Sequence, residues 1–203
     1  MISDVQRPNA ETLDPSHRLY WKRDVQRLDA ESFRDALLAV SGRLNENRHQ
    51  GPPIKVTSQD PSLENLLNNR RAYESFPNRT VYLPVVRSHL YDLLTLLDFP
   101  NATTPVGERS QTTVPTQALL LFNSHFVMDM SGQISDRVVE HESETKERLI
   151  WLYHLLFARS VSDEEIGECV EFLKHCSSIS SEDDCWKALC HSLVMSNEFT
   201  HVW

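Results

Sequence analysis

The chain has 203 residues, 40% hydrophobic, 8% aromatic and 24% charged. That is the profile of one globular unit long enough to bury a core, and with only five glycines it is a poor fit to turn-dense sandwiches or Gly-rich phosphate loops. No stretch approaches the roughly 18 uncharged apolar residues of a membrane span, and residues 1–15 lack the apolar block of a secretory signal, so the sequence names no compartment. Residues 1–110 hold 14 basic and 14 acidic side chains, whereas residues 111–203 hold 6 and 15 and carry the whole formal charge of −9, which disfavours a nucleic-acid partner.

Residues 1–15 read as an irregular lead-in, followed by a short amphipathic stretch over 17–28. Asp29 is placed to cap a helix on which Phe33, Leu37, Val40 and Leu44 recur at helical spacing. Residues 45–61 concentrate Gly, Pro, Asn and Gln and predict an exposed loop, after which helix resumes near 62–68. Thr80 to Leu83 predicts a brief extended piece, because β-branched and aromatic residues run into Pro84. Pro84 suits the first turn of a helix burying Val86, Leu90, Leu93, Leu94 and Leu97 and ending before Pro100.

The hydroxyl- and amide-rich residues 101–114 predict an ordered polar loop. Thr113 is placed to cap a helix with Pro115 in its first turn, running to about residue 140 with an interruption at Asn123–Ser124. Residues 144–157 form another amphipathic helix. Ser162 and Glu165 make a capping box for a helix burying Ile166, Cys169, Val170 and Leu173. A last helix starts at Ser181 and carries Trp186, Leu189, Leu193 and Phe199 inward. The fold class expected is all-α: an irregular bundle of six or seven helices forming a single helical domain over 16–203, with at most one short strand near 80–83.

Chemistry-bearing patterns are sparse. The acid clusters Glu164/Glu165/Glu168 and Glu182/Asp183/Asp184 fall in first helical turns, where they complement the dipole and face water. Nine histidines show neither H-x-x-x-H nor H-E-x-x-H spacing, and neither a nucleophile elbow nor a phosphate-loop motif occurs. Cys169, Cys176, Cys185 and Cys190 lack zinc-knuckle spacing and suit small buried hydrophobes. A bridge from Cys169 or Cys176 to Cys185 or Cys190, or a zinc ion held by His175, Cys176, Cys190 and His191, stays open if the last two helices are antiparallel. The most unusual polar group is Arg109, Thr112, Thr113 and Gln117, with Arg79 and Arg87 upstream. An Arg beside a hydroxyl-rich loop and a helix start can hold an anion, and the same side chains can instead pin the loop by local bonds. No catalytic residue, cofactor or metal is assigned from the residues.

Three stretches carry a resemblance: residues 17–42 (HRLYWKRDVQRLDAESFRDALLAVSG), 78–127, with Y-L-P-V-V-R and T-T-V-P-T-Q-A-L, and 186–203, with S-N-E-F. Together with LYHLLFARSVSDEEI (152–166), they resemble the C-terminal portion of a large uncharacterised domain family of planctomycete bacteria. That family closes long, usually exported proteins that often carry cytochrome-c-like modules. Its opening helical region, with N-R-x-W and G-R-G-x-V motifs, has no counterpart here, which implies a fragment, a split gene or a shortened member lacking the domain's N-terminal half.

The function expected is a non-catalytic helical packing module whose partner is another protein or that missing N-terminal half. The alternative implied by the resemblance is an accessory part of an exported enzyme or redox system acting on polysaccharides, which requires Arg79, Arg87 and Arg109 to line one pocket.

Overall fold

The computed structural model describes residues 10–16, 18–19, 21, 25–47, 70–85, 90–101, 103–112 and 114–202. The expected helix near 62–68, and Thr113, Val86 and Arg87, lie outside the described residues. In chain order the elements are α1 (Ala10–Leu13), β1 (Gln26–Arg27), α2 (Ala30–Val40), α3 (Arg70–Ser75), a 3-10 turn (Thr80–Tyr82) and α4 (Asp92–Leu96). They continue with α5 (Pro115–Asn123), α6 (His125–His141), α7 (Thr145–Phe157), α8 (Asp163–Ser177), α9 (Glu182–Val194), α10 (Asn197–Thr200) and β2 (His201–Val202). The protein is an all-α irregular bundle.

The packing follows from where the apolar side chains fall. On α6, Phe126, Val127, Met130, Ile134 and Val138 recur every three or four residues and are buried on one face. Ser131 and Ser135 lie on that face too, and their small side chains let α9 approach closely with Trp186, Leu189, Cys190 and Val194. Phe33, Leu37 and Leu38 of α2 and Leu149, Leu152 and Tyr153 of α7 close the core around α6.

Local chemistry sets the helix ends. Asp29 accepts from the Ser32 amide at 2.8 Å, as its cap position predicts. Gly42 (φ 76°) then stops α2, turning the amides of Arg43 and Leu44 back to the Leu38 carbonyl, so Leu44 lies beyond the helix expected to contain it. Ser162 and Glu165 form both halves of the capping box, at 3.2 and 2.8 Å. Ser181 accepts from the Asp184 amide, and Ser196 caps α10 separately, which puts Phe199 on its own turn rather than on α9.

The expected strand near 80–83 is a 3-10 turn. The Thr80 amide and hydroxyl are both taken by Asp35 at 2.7 and 2.6 Å, and the Tyr82 and Leu83 amides fold back on the carbonyls of Arg79 and Thr80. Extended pairing among the described residues lies instead between β1 and β2, antiparallel with Gln26 opposite Val202, and at an isolated bridge between Asn45 and Asn78. Of the helix expected from Pro84, the described residues show α4, with Pro84, Val85, Leu90 and Tyr91 outside it.

Residues 115–141 break at Ser124, whose extended ψ of 119° separates α5 from α6 near the interruption expected. Their start differs, because the cap position is Val114, a residue with no polar side chain. Its amide is satisfied by the Gln117 side-chain oxygen at 3.3 Å. A disulfide joins Cys176 at the end of α8 to Cys185 in α9, while Cys169 and Cys190 are free and buried.

Candidate functional site

The polar loop and the start of α5 converge on one carboxylate. Asp98, at φ 64° just past α4, accepts from the Thr112 amide and hydroxyl, both at 2.8 Å, from Gln117 Nε2 at 3.3 Å and from Arg27 Nη2 at 2.5 Å. Gln117 Nε2 also donates to the Leu96 carbonyl at 3.0 Å, which ties α5 to α4. Burial acts to raise the Asp98 pKa, yet the Thr112 bonds and the Arg27 charge outweigh it and hold the carboxyl below its usual range. The anion gathered by Thr112 and Gln117 is thus a side chain of this chain.

Arg109 lies elsewhere. Its guanidinium grips Glu31 at 2.9 and 2.8 Å, also reaches Asp29, and stands over the Phe99 ring at 5.9 Å. The bond to Glu31 leads the effects that raise its pKa. Arg79 is exposed at the entry to the 3-10 turn. Neither arginine lines the cavity beside Asp98 or the groove along α6. The structure therefore brings Thr112 and Gln117 together and leaves Arg79 and Arg109 apart from them.

The first cavity, about 140 Å³, lies against the Asp98 cluster. Its walls include the buried Phe33, Leu97, Gln117, Leu121 and Thr200, with Val114, Ala118 and Asn197 exposed at its rim. The second is a wide polar groove along α6, lined by Arg43, Glu74, His125, Asp129, Asp136 and Lys187.

Two arginine centres escaped the sequence reading. Arg34 is fully buried, donating from Nη1 to the Asn78 carbonyl and Thr80 hydroxyl and from Nη2 to the carbonyls of Tyr73 and Phe76, at 2.5 to 3.3 Å. Burial lowers its pKa, while Tyr91 and Asp35 act to raise it. With Asp35 holding Thr80, the dipeptide clamps residues 73–80 onto α2. Arg159 joins α7, α8 and α10 by forked bonds to Glu165 (2.9 and 2.6 Å) and Glu198 (2.5 and 2.8 Å), over the rings of Tyr153 and Phe157. The Arg159 bond, working against burial, brings the Glu165 pKa down to about 2. The signal for Arg34 was an Arg at a position flanked by core residues of an amphipathic helix; its carbonyl partners, some 40 residues on, gave none.

The zinc set does not assemble, since Cys176 is spent in the disulfide and the His191 ring nitrogen Nε2 meets the Leu121 carbonyl at 3.2 Å. Among the described residues no group of three or more His, Cys, Asp or Glu is placed to hold a metal. Burial pushes the Cys190 thiol up to about 12 and raises that of Cys169, keeping both protonated. The acids Glu164, Glu182, Asp183 and Asp184 are exposed on the first turns of their helices, and Glu168, expected there too, is exposed one turn further along α8. Among the described residues no helix is long and apolar enough to cross a membrane.

The family model described as PSD1, protein of unknown function (DUF1553), matches residues 2–173, and the chain belongs to that family. No curated protein and no solved structure matches it.

Proposed function

We propose that this member of a family of unknown function is a non-catalytic helical packing module that seats on another protein through the outward stripe of α5. The observation that carries the reading is the composition of that stripe. Pro115, Ala118, Leu119 and Phe122 fall at helical spacing and are all exposed, Leu119 and Phe122 at 60% each, and Val114 extends the stripe at 41%. On the opposite side Leu121 is buried in the core and Gln117 is buried in its hydrogen-bond cluster, so the inner face of α5 is already covered and the apolar outer stripe is not. An exposed stripe of large apolar side chains on one helix face is a mark of a surface that another chain covers.

Solution behaviour tests the reading. The purified chain should bind an apolar-surface dye and self-associate as its concentration rises, and L119E together with F122E should abolish both with melting unchanged. Background dye binding and a clean monomer for the unaltered chain would remove it.

A further inference from the structure

We propose, resting on the packing-module reading, that the partner seated on α5 is a second copy of this chain. The two copies pair antiparallel about a two-fold axis at Leu119, and Phe122 of each fills the cavity beside Asp98 in the other. One edge of α5 carries both halves of this contact. Val114, Ala118 and Phe122 fall four residues apart along that edge and are exposed, and Val114 and Ala118 also line the cavity. A two-fold interface needs a surface that is complementary to itself, and a knob and a hole on one helix edge supply it.

The sizes match. At about 140 Å³ the cavity has room for one benzene ring, and Leu28, Phe33, Leu97, Leu121 and Met195 give it hydrocarbon walls. Phe122 supplies such a ring, 60% exposed and stacked on His191 at 6.1 Å between centroids. In an antiparallel pair centred on Leu119, a residue three positions past the centre meets the position three before it. Phe122 therefore stands level with Thr116, between Val114 and Ala118 of the second copy. A two-fold axis that runs between the helices and across them keeps like edges on the same side, so the ring meets the cavity rim.

Charge favours a copy over a charged partner. Residues 111–128 hold no Asp, Glu, Lys or Arg, so the acidic excess of −9 falls wholly beyond α5. Two α5 faces meet without opposing like charges, and a basic or acidic segment finds no counter-charge on the helix. A single nine-residue helix face is a small interface, which sets a weak dimer with a Kd of about 10–100 µM.

Sedimentation velocity of the full chain across that concentration range should show monomer and dimer in exchange and nothing larger. F122A and A118W alter exposed positions and should melt as the unaltered chain does, yet each should weaken the dimer at least about tenfold. F122A removes the ring, whereas A118W blocks the cavity while making the stripe more apolar, so a merely adhesive stripe would associate more and an inserted ring less. In a mixture of labelled and unlabelled chains, NOEs should run between copies from the Phe122 ring to the methyls of Leu28, Leu97 and Leu121. A monomer at every concentration, association continuing past the dimer, or undiminished pairing by folded A118W would each overturn the proposal. A monomer that still binds the apolar-surface dye sinks the second copy and leaves the packing-module reading standing with another partner, whereas a monomer with background dye binding removes both.

Discussion

Replacing Arg34 is the sharpest test of the fold's internal logic. Its four donor bonds end on three backbone carbonyls and one hydroxyl, all in residues 73–80, and its guanidinium stands 5.6 Å from the Phe126 ring centre. At about 1 kcal/mol net per bond, and about 1 kcal/mol for the ring contact, R34A forfeits about 5 kcal/mol. Relief of the guanidinium's own desolvation returns part of that, so the expected loss is about 3–5 kcal/mol, the range for breaking a buried charged network from one side. Against a total of about 5–15 kcal/mol for a domain, such a variant is close to unfolding. Urea denaturation followed by circular dichroism gives the shift directly. R34K should recover less than half of the loss, because an ammonium cannot fork to two pairs of acceptors. Hydrogen exchange should accelerate more at residues 70–83 than in α6 and α9. A loss below about 1 kcal/mol for R34A, or full recovery by R34K, would refute the clamp.

Acid should weaken the α7–α8–α10 junction. With Glu165 at about 2 in the folded chain against an ordinary 4.5, its contribution is complete above about pH 4.5 and is lost as pH falls towards 2, so urea midpoints should drop over that window and E165Q should flatten the drop. Reducing the Cys176–Cys185 bond, which closes a loop of sequence separation 9, should cost about 2–3 kcal/mol, read as lower melting in reductant and an alkylation mass shift confined to those two cysteines. G42A should destabilise by about 1 kcal/mol or more, since the position has φ 76° and an added Cβ would meet Arg137 Cδ at 3.2 Å; unchanged melting would contradict this.

Much of the architecture could be read from local signals. Asp29, Ser162 with Glu165, and Ser181 are caps whose partners lie within three residues, so each was legible without the rest of the chain. The apolar spacing of α2, α7, α8 and α9 likewise needs no tertiary information, because helical period alone fixes which side chains share a face. The polar loop was legible in composition but not in detail. Thr112 and Gln117 do meet, yet the group that gathers them, Asp98, sits 14 and 19 residues before them.

Where the prediction and the structure part, a distant partner decided. Thr80 to Leu83 has strand-forming residues, but Asp35 takes the Thr80 amide and hydroxyl and the segment is a turn. Gln26–Arg27 became a strand only because the chain's far end supplied His201–Val202. Among the allowed cysteine pairings, Cys176 met Cys185 because the hairpin of α8 and α9 brought their Cα atoms to 5.6 Å.

The amino-acid order by itself determined helix positions, caps and inward faces, all set by interactions within a turn or two. Only the tertiary structure decided which arginine is buried, which carboxylate is encircled and where a cavity opens, because each depends on groups brought together from dozens of residues apart.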